Sequence, residues 1–179
     1  MTPDLENIVV HFGEMGSRWG FNRTVGQMLA LIVLSDRPLS ADDIAASLKV
    51  SRGNVSMAAK ELHAWHLVRT HREPGDRKDY LVAAGTIWEL AQQVLTERKK
   101  REMDPTLSLL RSQLLDGNED DPPSHARQQL QEIYDLLELL NRSFDDLQSL
   151  TPEQLKRLLT LGTGVLKFTD RIRPGNRND

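Results

Sequence analysis

Residues 51–60 read Ser-Arg-Gly-Asn-Val-Ser-Met-Ala-Ala-Lys. Set at about 100° per residue, the stretch from Ser51 to His66 puts Val55, Ala58, Ala59 and Leu62 on one helical face. Gly53, Met57, Lys60 and Ala64 fall opposite, with Arg52 and Ser56 along one edge and Asn54 on the other. A face turned only to water would ordinarily carry Glu and Lys. This one is small, polar and positive, with no acid between Ser51 and Lys60. The chemistry it suits is non-covalent reading of double-stranded DNA. Asn and Ser can exchange hydrogen bonds with base edges, Arg can read guanine, and Met57 can meet a thymine methyl. Small residues also let the helix approach the floor of a major groove roughly 12 Å wide. At the Ser51 end, unpaired backbone N–H groups point toward phosphate. A second set, Arg72, Arg77 and Lys78, flanks the turn sequence Glu73-Pro-Gly-Asp76. Such cations can reach phosphate or an adjacent minor groove. The plainer use of a charged hairpin tip is to keep the sheet edge from pairing with other strands.

Other chemistries find less to work with. The five histidines are His11, His63, His66, His71 and His125. His63 and His66 could share a helix face, but no carboxylate or cysteine completes a metal set, and no metal is expected. Ser51 and Ser56 lack a base at usable spacing. No catalytic residue and no cofactor are expected, so the chain does not read as an enzyme. Trp19, Trp65, Trp88 and Tyr80 could contribute to an aromatic cage for a quaternary ammonium ligand, although aromatics at helical spacing are ordinarily core.

The reading residues need a scaffold, and the flanking sequence supplies one. Leu5, Ile8, Val9, Phe12, Met15 and Trp19 recur at spacings of three and four and predict an amphipathic helix. A second helix, from about Thr24 to Leu34, is apolar nearly all round and belongs at the centre of a core. Ser40 and Asp43 form a capping box that opens a short helix with Ile44, Ala45 and Leu48 inward. Lys49-Val50-Ser51 is then a turn, and Ser51 caps the next helix. Two capped helices joined by three residues have the spacing of a helix-turn-helix. After Leu62 the period changes: residues 68–72 and 80–83 alternate around a Pro-Gly turn and predict a β-hairpin. The order is that of a winged helix.

Downstream, Thr86 and Glu89 form another capping box, a helix ends in Arg98-Lys-Lys-Arg101, and Asp104-Pro105 starts it again. Leu130, Leu137 and Phe144 are seven apart, as are Ile133, Leu140 and Leu147, which fills a and d positions over three heptads. Leu136 and Leu139 widen that surface toward a helical dimer interface, and Thr151 and Gln154 cap a last helix. The expected class is mainly α with a small β-hairpin wing: a winged helix-turn-helix plus a helical dimerisation region. The expected organisation is a dimerisation helix over 1–20, a DNA-binding domain over 21–85 and a linker or dimerisation helix over 86–115. A mobile acidic linker over 116–124, a dimerisation region over 125–172 and a disordered tail over 173–179 follow. Leu5, Ile8, Phe12, Leu130, Ile133, Leu137, Leu140, Phe144 and Leu147 are the candidate dimer contacts.

The total charge conceals two regions. The 179 residues carry 23 Lys+Arg against 26 Asp+Glu, a net −3. From Lys49 to Lys78, seven basic residues face three acidic ones, a local +4. From Glu102 to Arg157, twelve acidic residues face five basic ones, a local −7. A polyanion responds to the field within a Debye length of about 8–10 Å, so the basic segment can bind DNA on an acidic protein. Cysteine is absent, which removes disulfides and thiolate sites and fits a reducing, cytoplasmic setting. Met1 to Ser17 has no basic residue, so no signal peptide is expected. The longest apolar run, Met28 to Leu34, is seven residues, short of the ~20 a membrane span requires.

Leu34-Ser-Asp-Arg-Pro-Leu-Ser40, Val50-Ser-Arg-Gly-Asn-Val-Ser-Met57 and Gly75-Asp-Arg-Lys-Asp-Tyr80 together resemble the GbsR-like branch of the MarR family of bacterial winged-helix transcriptional regulators. The resemblance covers residues 10–101. It implies a homodimer that reads a pseudo-palindromic operator, and repression relieved by a small-molecule effector of unspecified identity. The chain departs from the wider family after the second wing strand, where Ala83-Ala-Gly-Thr86 stands in place of a common Leu-Thr pair. The alternative is an interaction module whose winged helix binds protein and whose coiled-coil segment binds a partner, with no DNA.

Overall fold

The computed structural model describes residues 2–115, 125–158 and 160–161. The expected linker 116–124 and tail 173–179 lie outside the described residues, as does most of 159–172. Two compact units divide between Arg98 and Lys99.

The first unit opens with α1 (Pro3–Arg18) and α2 (Arg23–Leu34). Thr2 and Asn22 cap them, each accepting a backbone N–H through its side chain. The two helices cross through glycine rather than through the larger apolar residues of α1. Gly13 and Gly16 are buried, and a Cβ on Gly26 would lie 2.8 Å from the Phe12 carbonyl oxygen. The backbones therefore touch, which no other residue type permits. Of the expected apolar face, Val9 is buried, whereas Ile8, Phe12 and Trp19 remain exposed.

Leu39–Ser40 forms β1, followed by α3 (Ala41–Leu48) and α4 (Arg52–Ala64). β2 (Val68–Arg72) and β3 (Asp79–Ala83) form an antiparallel hairpin in which Arg72 stands opposite Asp79. The sheet has three strands in the order β1-β3-β2, because Leu39 and Ser40 pair with Leu81 and Tyr80. That third strand goes beyond the hairpin the sequence predicts. A helix α5 (Ile87–Arg98) closes the unit, capped by the Thr86–Glu89 pair. The core lies under the helix-turn-helix: Met28, Ile44, Val55, Leu62 and Leu67 are shut off from solvent. Each such side chain stabilises the fold by roughly 1.5–3 kcal/mol. Trp65 packs into this core against Phe21, with ring centroids 4.3 Å apart, so it is committed to packing.

The second unit begins with a π-helical turn, Lys99–Met103, that runs into α6 (Asp104–Leu115). Lys99 reaches Asp104 at 3.4 Å and Asp145 at 3.3 Å. α7 (His125–Gln148) packs on α6 through polar links: Arg111 donates to the Tyr134 hydroxyl at 2.8 Å, and Arg127 to the Leu114 carbonyl at 2.9 Å. No residue of α7 is buried. Thr151 and Gln154 cap a further helix beginning at 152.

Candidate nucleic-acid interface

The helix-turn-helix is fixed at three points by local chemistry. At the first, the Ser40 hydroxyl accepts from the Asp43 N–H at 3.2 Å, and Asp43 Oδ2 accepts from the Ser40 N–H at 3.0 Å. The Ser40 hydroxyl also donates to Asp43 Oδ2 at 2.6 Å, and this bond, with that from the Ser40 N–H and help from Arg37, holds the Asp43 carboxyl down at about 2. At the second, Lys49 ends α3 in the left-handed region, φ 57°, and turns the chain sharply. Its ammonium pairs with Glu6 at 3.0 Å. At the third, Ser51 caps α4 by accepting from the Asn54 N–H at 3.2 Å. The first turn of α4 contains no acid, so its positive dipole end is not neutralised locally.

The expected division of α4 into two faces holds. Val55, Ala58 and Leu62 are buried. Ser51, Arg52, Gly53, Asn54, Ser56, Met57 and Lys60 are all exposed, Met57 at 71%. An unbranched apolar side chain held that far into water has no role in this unit's core. A Cβ on Gly53 would meet only Ser51 Oγ, at 3.8 Å. The fold therefore has no need of glycine there. Arg52 is not independent, because its guanidinium pairs with Asp42 of α3 at 2.5 Å. Asn54 and Met57 also border a polar hollow of about 160 Å³ with Asn22, Thr24 and Glu61.

The wing is more organised than its sequence suggests. Gly75 takes φ 87° in the turn, and the Asp76 N–H donates to the Glu73 carbonyl at 3.1 Å. Asp76 Oδ1 accepts from the Lys78 N–H at 3.0 Å, and Oδ2 accepts from the Tyr80 hydroxyl at 2.6 Å. The shared proton pushes the Tyr80 phenol up to about 12, and the same hydrogen bond lowers the Asp76 carboxyl. Arg72 Nε donates to Asp79 Oδ1 at 2.7 Å. Arg77 and Lys78 are exposed at the tip. The sequence places Asp76 in the turn and Tyr80 in the second wing strand, but does not reveal the hydrogen bond between them. A four-residue spacing across a Pro-Gly turn was the available signal.

Elsewhere in this unit, α1, α2, α4 and α5 line an open apolar pocket of about 140 Å³ that includes Phe12, Met15, Trp19, Phe21 and Leu29. Among the described residues, no three His, Cys, Asp or Glu side chains stand together so as to hold a metal ion. Nor is any described helix long and apolar enough to cross a membrane. The candidate dimer contacts divide by exposure. Ile8, Phe12, Ile133, Leu140 and Leu147 are exposed, while Leu5, Leu130, Leu137 and Phe144 are half-buried.

A short helix, a second capped helix and a hairpin, in that order on one core, define a winged helix-turn-helix. Residues 19–79 match the sequence model of the MarR family, so the winged-helix segment carries that family's pattern, and the helices C-terminal to it lie outside the match. No curated protein matches the sequence. Among solved structures, the chain is similar to a protein described as a transcriptional regulator, at 22% identity and a TM-score of 0.63, over 82% of this chain and 96% of that one. At that identity the likeness establishes the fold. Transcriptional regulator Tm0710 from Thermotoga maritima is 21% identical over 77% of this chain and 89% of that one, with a TM-score of 0.39. MepR, a transcription regulator of the Staphylococcus aureus multidrug efflux pump MepA, is 12% identical over 93% and 90%, with a TM-score of 0.37. Both are too distant in shape to support a statement about this chain.

Proposed function

We propose that this chain is a DNA-binding transcriptional regulator, a repressor of the GbsR-like MarR type that grips a pseudo-palindromic operator as a homodimer. One observation carries the reading. The outward face of α4 from Arg52 to Lys60 is exposed and free of acid, and its glycine and methionine have no use in the fold. In this proposal Ser51, Arg52, Gly53, Asn54, Ser56, Met57 and Lys60 read one half-site, and the wing meets the backbone beside it. Two half-sites lie about 34 Å apart, so two copies must be held together. The segments 1–20, 86–115 and 125–172 serve that purpose around the reading domain 21–85. The uncovered apolar residues of α1 and α7 support this assignment. The apolar pocket lined by Phe12, Met15 and Trp19 supports release by a small, largely apolar effector.

The test is selection of bound fragments from the source genome, followed by anisotropy titration of the selected duplexes at several salt concentrations. Binding should weaken steeply with salt, with a log–log slope of about −0.9 per phosphate neutralised. Absent or salt-insensitive binding would reject the regulator and favour the protein-interaction module.

A further inference from the structure

The three wing cations do not share one situation. Arg72 is held against Asp79, its partner in the hairpin register, at 2.7 Å. Its charge is matched within the wing. Arg77 and Lys78 sit between Asp76 and Asp79, and no hydrogen bond or ion pair engages either side chain among the described residues. The short segment carrying them is nonetheless fixed. One oxygen of Asp76 holds the Lys78 N–H and the other holds the Tyr80 hydroxyl. Tyr80 belongs to β3, the central strand, where it faces His71 on one side and Ser40 on the other. A continuous path of hydrogen bonds thus runs from the sheet to the tip.

We propose that Tyr80 is a positioning residue: through Asp76 it aims Arg77 and Lys78 at the DNA backbone, and Arg72 is a strut within the wing rather than a DNA contact. The inference rests on the DNA-binding reading and divides labour within it. A tip ordered in the free protein loses less conformational freedom on binding than a loose one. The phenol, pushed up to about 12, stays protonated and able to donate throughout the physiological range.

The experiment titrates a genome-selected duplex with the full chain, its Tyr80→Phe, Asp76→Ala, Asp76→Asn and Arg72→Gln variants and the double variant Arg77→Ala with Lys78→Ala, at several salt concentrations, and records thermal midpoints in parallel. Tyr80→Phe keeps the ring and should lower the midpoint by no more than about 4 °C, while binding about fivefold more weakly because the freed tip must then be ordered on the DNA. Asp76→Ala should bind more weakly as well, although it removes a negative charge from the tip. Asp76→Asn should stay near wild type, because an amide can accept from Lys78 and donate to the Tyr80 oxygen. Arg72→Gln should leave the salt slope unchanged, whereas Arg77→Ala with Lys78→Ala should reduce it by about 2–4, counting both wings of the dimer. Asp76→Ala and Asp76→Asn both binding tighter than wild type would overturn the proposal, since the carboxylate would then act only as a repelling charge. Tyr80→Phe binding as wild type, or Arg72→Gln reducing the slope, would overturn it too. A wild-type chain that binds no selected duplex overturns the DNA reading and the wing assignment together. Wild-type binding with no response at Tyr80 overturns the wing assignment alone.

Discussion

The winged-helix unit and helix α7 use the same apolar residue types to opposite ends. In the first, Met28, Ile44, Leu62 and Leu67 are closed off from water by α2, α3, α4 and the sheet. In the second, Ile133, Leu139 and Leu140 stand 47%, 61% and 50% exposed, and α7 has no buried residue at all. Both regions have regular apolar spacing in sequence. Periodicity states that a face wants cover but does not name what covers it. In the first unit the chain supplies the cover; for α7 a second copy is the proposed source. The charge division follows the same line, since the reading helix and wing are basic and the region from Glu102 to Arg157 is acidic.

Five substitutions test that contrast. The largest effect is expected for Leu62→Ala, which opens a cavity in the closed core and should lower unfolding free energy by about 2–5 kcal/mol in denaturant melts. The same truncation at Leu139 should cost well under that in a protein dilute enough to be monomeric. Next, Leu137→Asp places a charge in the proposed seam. Sedimentation should shift from dimer to monomer, with operator affinity lost, because an unpaired charge in a buried interface costs several kcal/mol. A dimer that survives would mean the two copies meet elsewhere.

The smaller effects lie at the reading helix. Gly53→Ala should stabilise the free protein by up to about 1 kcal/mol, since alanine is the better helix former and its methyl group meets nothing closer than Ser51 Oγ at 3.8 Å. Binding to a selected duplex should weaken all the same, because the added methyl faces the groove floor. A gain in stability with unchanged affinity would place Gly53 away from the DNA. The last effect is confined to acid pH and lies at the capping box. Asp43 falls from its ordinary 3.8 to about 2 in the fold, so its contribution is complete above pH 3.8 and is lost as pH falls through 2. Acid titration of stability should therefore show a component in that window that disappears in Asp43→Asn.

Features governed by neighbours in sequence were legible before the structure. The Ser40–Asp43 box, the Ser51 cap and the hairpin around Pro74-Gly75 each follow from residues within four positions of one another. Features governed by distant partners were not. β1 is two residues long and exists because Leu81 and Tyr80 come to lie beside it. The α1–α2 crossing depends on Gly13, Gly16 and Gly26, and glycine inside a helix usually reads as a defect. Ile8 and Phe12, expected to meet a second copy, are exposed in the single chain, while α1 meets α2 through glycine, which its apolar spacing does not foretell. At the site, which residues face outward on α4 could be read from helical geometry. That Arg52 pairs with Asp42 and Arg72 with Asp79 could not, because both depend on where a second element folds back.

The central claim is that two copies of α4 read two half-sites with the face from Arg52 to Lys60. Hydroxyl-radical footprinting on a selected duplex, with wild type beside a Ser56→Glu and Lys60→Glu double variant, tests it most directly. Wild type should give two protected segments centred about 10 base pairs, or a small multiple of that, apart. The variant should give none, with its fold intact because both side chains are exposed. A single protected segment, or protection that survives the added charges, would contradict it.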